Sequence, residues 1–101
     1  MKCWKDCKPG DSVWVLDYEH NKSLKCAIEY LDESKFGTGY LSLTLSGYGN
    51  PLQVCGQAAS RCINENMVVY CDWDAFEGDV NILLDDLKSA YESVSKFNEL
   101  K

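Results

Sequence analysis

Lys8-Pro9-Gly10-Asp11-Ser12-Val13-Trp14-Val15-Leu16-Asp17-Tyr18-Glu19 is the stretch that decides the fold. Pro-Gly-Asp is turn chemistry: proline presets one backbone angle, glycine reaches left-handed conformations and aspartate bonds locally to the backbone. Straight after it, Val13, Val15 and Asp17 alternate with Trp14, Leu16 and Tyr18. A period of two is the signature of a strand, and large apolar groups on both sides predict a strand covered on one face and half covered on the other.

Working outward, the same grammar repeats. His20-Asn21-Lys22 is a polar turn, and the following SLKCAIEYLDE reads as a second strand. Leu24, Cys26, Ile28 and Tyr30 share one face of it, opposite Lys25, Ala27 and Glu29. Lys35-Phe36-Gly37-Thr38-Gly39 turns the chain into YLSLTLSGY, where Leu41, Leu43 and Leu45 alternate with Ser42, Thr44 and Ser46. Gly47-Tyr48-Gly49-Asn50-Pro51 leads into the short strand PLQVC. QAASRC reads as a single helical turn, and MVVYC as the last strand. Five short strands at this spacing predict a small antiparallel barrel, residues 10–71, behind an N-terminal arm, residues 1–9.

The last third, residues 72–101, changes period. Phe76, Val80, Leu83, Leu87, Ala90, Val94 and Phe97 recur at alternating spacings of four and three, a heptad seam on one long amphipathic helix. Asp74 with Glu77 three residues on fits an N-cap and capping box. The expectation is that the seam packs on the open side of the barrel near its start. Near its end, Leu87, Tyr91, Val94 and Phe97 would meet a second copy or another protein.

The charge is segregated. Of a net −6, residues 72–101 carry about −5, with eight acids against three lysines, whereas residues 1–36 interleave seven acids with six lysines. An acidic half repels phosphate backbones, so duplex DNA is disfavoured as a partner and a basic protein groove is favoured. No apolar run approaches the roughly 20 residues that span a bilayer. Taken as a native N-terminus, MKCWKDCKPGD has no apolar core of an export signal, and the expected location is the cytoplasm.

Chemistry-bearing patterns are sparse. The six cysteines, Cys3, Cys7, Cys26, Cys55, Cys62 and Cys71, have irregular spacings that do not form the paired knuckles of a zinc ribbon. Most lie in apolar strands, where a free thiol acts as a small hydrophobe. One histidine in a polar turn provides no nucleophile–base pair, so no enzyme, metal or cofactor is expected. Gly47-x-Gly49 lies between two strands and lacks the helix N-terminus of a phosphate loop.

The opening Lys8-Pro9-Gly10-Asp11-Ser12-Val13-Trp14-Val15 resembles the first strand of SH3-like barrels, including the KOW and Tudor groups. With four further strands and a terminal helix, the layout is also similar to small prophage proteins of Gram-positive bacteria. That resemblance implies a binding protein, phage-encoded and acting on a host nucleic-acid-handling or defence protein. The acidic helix face, Asp79, Asp85, Asp86 and Glu92, would then imitate phosphate spacing. The alternative is a barrel whose aromatics, Trp14, Tyr18, Tyr40 and Tyr48, stack on single-stranded nucleic acid or a nucleotide. A further alternative is a homodimer joined through the helix seam.

Overall fold

A computed structural model describes residues 1–20, 22–49, 51–55, 60–65 and 67–86, with helix side chains described as far as Ile82. Within these, six antiparallel strands close into a barrel: β1 (Ser12–Asp17), β2 (Lys22–Leu31), β3 (Tyr40–Leu45), β4 (Leu52–Cys55), β5 (Arg61–Asn64) and β6 (Met67–Tyr70). One helix follows, α1 (Trp73–Asp86). Strands pair with their sequence neighbours, and β1 closes the ring against β6 with Trp14 opposite Tyr70 and Leu16 opposite Val68.

The strand count is six, not five. The added strand is β5, where the sequence suggested a helical turn running to Cys62. Its four residues, Arg-Cys-Ile-Asn, show no apolar alternation because only Cys62 enters the core while Ile63 faces outward. A four-pair register with β6 holds it, while a single pair, Cys55 opposite Ile63, joins it to β4. The Asn64 side chain reinforces that thin seam by donating to the Gln53 carbonyl at 2.8 Å.

The alternation of β1 and β3 works as their sequences dictate. Val13, Val15, Leu41, Leu43 and Leu45 are all sealed inside. β2 departs from its own pattern. Its register against β3 shifts between Ile28 and Tyr30, an extra residue that inverts the alternation. Tyr30, expected on the inner face with Cys26 and Ile28, therefore stands outside, and Leu31 is buried instead.

Residues 1–9 are no free arm. A 3-10 turn, Trp4–Asp6, delivers Trp4 and Cys7 into the interior cluster, with Trp4 only 2% exposed. Lys2 fastens the segment: its backbone N–H donates to Asp72 at 3.1 Å and its ammonium to Asp11 at 2.7 Å. This turn fills the barrel end where β1 begins and β6 finishes.

α1 does not close the barrel's end. It lies on the outer face of β1 and β6, where Phe76 and Val80 pack with Leu16 and Tyr70 in a second cluster flanked by Trp14, Val68 and Trp73. Its cap is Asp72, two residues earlier than the Asp74 that the sequence implied. Asp72 precedes the helix and accepts from the Ala75 N–H at 3.2 Å, while Glu77 accepts from the Trp73 indole at 2.9 Å. Acids at this end also complement the helix dipole. No helix among the described residues is long and apolar enough to cross a membrane.

Candidate functional site

The outer sheet face of β1, β6 and β5 is wider than one helix can cover. Alternation places Trp14, Leu16, Val68, Tyr70, Arg61 and Ile63 on that face. α1 covers the Trp14–Tyr70 side, with the Trp14 and Trp73 rings edge-to-face at 5.6 Å and Tyr70 against Phe76 at 5.5 Å. Among the described residues no second helix covers the other side. Between it and the helix runs a groove of about 360 Å³ lined by Tyr18, Arg61, Ile63, Val68, Tyr70, Asp79 and Ile82.

The groove combines apolar walls with one organised polar knot. Tyr18, Ile63 and Ile82 are 45%, 46% and 66% exposed. At the floor, one oxygen of Asp79 accepts from the Tyr70 hydroxyl at 2.7 Å and from the Arg61 guanidinium at 2.9 Å. Burial, then the adjacent Asp79 carboxylate, pushes the Tyr70 phenol well above its ordinary range, so it stays a proton donor. Tyr18 is also raised, by burial and by the same carboxylate. The knot ties α1 to β5 and β6, and Ile63 and Ile82 stand exposed beside it.

The residues singled out from sequence fall in separate places. Asp79 is committed within the chain to Arg61 and Tyr70. Asp85 and Asp86 belong to the last turn of α1. Leu87, Tyr91, Glu92, Val94 and Phe97 lie outside the described residues. Of the aromatics, Trp14 packs against the helix and Tyr48 against the interior cluster. Tyr18 borders the groove, while Tyr40 stands exposed on β3 beside a shallow hollow with Lys35, Thr38 and Gln53.

Two polar features escaped the sequence reading. Asp17, the inward position of β1 after Val13 and Val15, is buried; the turn histidine holds it, with backbone N–H at 3.1 Å and ring Nδ1 at 2.9 Å. Burial acts to raise the Asp17 carboxyl, but the His20 hydrogen bonds outweigh it and the net shift is downward. Asp17 lies beside Tyr48, whose phenol is pushed up to about 12 by burial and by that carboxylate. The strand's own period, carried one step further, marks Asp17 as needing a buried partner. The second feature is the approach of Cys7 to Cys71. Among the described residues no three potential ligands converge as a metal site would require.

Compared with family models, curated proteins and solved structures, the chain matches none.

Proposed function

We propose that this is a small binding protein that acts by contact with another protein, without chemistry of its own, through the groove between α1 and the β5–β6 hairpin. The observation that carries the reading is the exposure of Tyr18, Ile63 and Ile82 around a rigid Tyr70–Asp79–Arg61 floor. Apolar groups held rigidly at a concave face cost little ordering on binding, which is what interface anchors require. Net charge of −6 and the acids Asp72, Asp74 and Glu77 on the first helical turns favour a partner that is basic around an apolar anchor. On the prophage likeness of the layout, that partner is a host protein with a basic groove, one that handles nucleic acid or serves in defence. Asp85 and Asp86, further along the same helix, then extend the acidic rim.

The test compares Ile82→Asp and Ile63→Asp with Tyr30→Ser, which alters the exposed tyrosine of β2. Partners retained by the immobilised wild type are quantified at two salt concentrations. The reading requires a basic protein kept by wild type and Tyr30→Ser, lost with both isoleucine variants, and weakened by salt. An identical retained set for all four proteins overturns it. Retention of labelled single-stranded oligonucleotide, lost on Tyr40→Ala, transfers the function to the barrel aromatics instead.

A further inference from the structure

The six cysteines are all free thiols, and four of them, Cys3, Cys26, Cys55 and Cys62, lie apart along the chain with no common purpose. Two are different. Cys7, just after the N-terminal turn, and Cys71, between β6 and α1, are remote in sequence and both buried. Their sulfurs rest on consecutive carbonyls of the same segment: Cys7 Sγ donates to the Cys3 carbonyl at 3.5 Å and Cys71 Sγ to the Lys2 carbonyl at 3.4 Å. The backbone that carries those carbonyls is itself tied to both neighbourhoods. Lys2 binds Asp72, next to Cys71, and Asp11, at the turn that follows Cys7.

We propose that Cys7 and Cys71 form a redox-modifiable pair which small-molecule disulfides convert into a disulfide bond, fastening the N-terminal turn to the junction of β6 with α1. The pair is also electronically set up for exchange. Interaction with the Cys71 thiol, and then the Lys2 ammonium, lowers Cys7, while Cys7 and burial raise Cys71. Cys7 is therefore the thiol that ionises and attacks first.

The exchange balances. The Cys7 thiolate attacks one sulfur of a disulfide such as oxidised glutathione, whose S–S bond breaks. One small thiolate leaves with the bonding pair and takes up the proton Cys7 had lost. Cys71, giving its proton to the second leaving thiolate, then displaces it from the mixed disulfide. The protein pair loses two electrons and two protons, and the small disulfide gains both as two thiols. Since both sulfurs are buried, the step proceeds from openings of the N-terminal turn, and reclosure with Trp4 inside brings the thiols back together.

The experiment incubates the full-length native protein with oxidised glutathione, blocks residual thiols and maps linkages by mass spectrometry. The expected product has four of the six thiols still blockable and a peptide pair joining Cys7 to Cys71. Closing so long a loop raises the melting temperature by about 10 °C or more, and reductant reverses it. Cys71→Ser, whose hydroxyl can still donate to the Lys2 carbonyl, loses both the link and the rise. A principal linkage through Cys62 or Cys3, or a mixed disulfide at exposed Cys55 as the only product, overturns the proposal. The mapping is made on the unaltered chain and does not depend on any variant folding.

Discussion

Two clusters hold this protein together, on opposite sides of the same strands, and they are built differently. The interior cluster is made of strand residues of strict period two, Val13, Val15, Leu41, Leu43, Leu45, Val54 and Val69, completed by Trp4 and Cys7 from the N-terminal turn. The outer cluster is aromatic and made of few residues: Leu16, Tyr70, Phe76 and Val80, with Trp14 and Trp73 at its edge. The interior is defined by closure of the sheet, so each of its residues has neighbours on several strands. The outer one depends on a single helix laid across two strands. That difference divides the molecule: the closed barrel carries the many-stranded cluster, and the outer face is half covered by one helix, leaving Tyr18, Ile63 and Ile82 exposed.

The division is broken or sharpened first by deleting one large residue from each side. Phe76→Ala should cost about 3–5 kcal/mol and Leu43→Ala about 2–5 kcal/mol, since both side chains are fully buried. The distribution of the damage separates them. Under hydrogen exchange, Phe76→Ala should strip protection from α1 while β2, β3 and β4 keep theirs, and Leu43→Ala should lower protection everywhere. Equal loss across the barrel in Phe76→Ala would make the two clusters one cooperative unit.

Legibility in the sequence follows the same divide. Leu41, Leu43 and Leu45 announce a strand because every second residue is apolar and every one of them is buried. The barrel class and the terminal helix are readable on that basis. β5 was not, because a strand whose outer face joins a helix-flanking groove carries Arg61 and Ile63 there, and only Cys62 points inward. The bulge after Ile28 is equally silent: it is fixed by pairing with Thr44, a partner many residues away, and no local signal marks it. The outer groove is a product of tertiary placement. Ile82 lies off the heptad seam, and its exposure became meaningful only once Tyr18 and Ile63 were brought beside it.

Between the clusters lies β1, and its last inward position gives the next test. Asp17→Asn removes charge-assisted bonds from the His20 ring and backbone and should cost about 1.5–3 kcal/mol at neutral pH. The sign of the pH effect follows from the lowered carboxyl. A depressed folded pKa means that stability is fully present above the unfolded value, about 3.9, and drains away as pH falls through the folded value below it. Urea midpoints of the wild type should therefore drop below about pH 4, and the Asn variant should show a shallower drop. A steeper acid slope in the variant would refute the assignment.

A smaller effect is expected where the helix is pinned to the outer face. Tyr70→Phe keeps the ring in place against Phe76 and removes only the hydroxyl that donates to Asp79. Arg61 remains on the same oxygen, so the carboxylate is not orphaned, and the loss should be about 1 kcal/mol by denaturant titration. Arg61→Ala should cost less still, because its ion pair with Asp79 is half exposed. A reversed order would mean that the salt bridge, not the buried phenol, positions the helix.

The smallest shift tests the interior side through Trp4. The indole N–H is buried with no hydrogen-bond partner among the described residues, so the ring is there for its volume and not for its donor. Trp4→Phe removes an unsatisfied polar group, which favours the variant, and leaves some space unfilled, which opposes it. The two effects have similar size, and the net change should stay within about 1 kcal/mol. Because Trp4 anchors the turn that carries Cys7, the same variant should still join Cys7 to Cys71 on oxidation. If Trp4→Phe instead lost 3 kcal/mol or more, the N–H would have to be satisfied in solution. The N-terminal turn would then be held by a polar contact, and the interior cluster would not be the purely apolar half of the comparison.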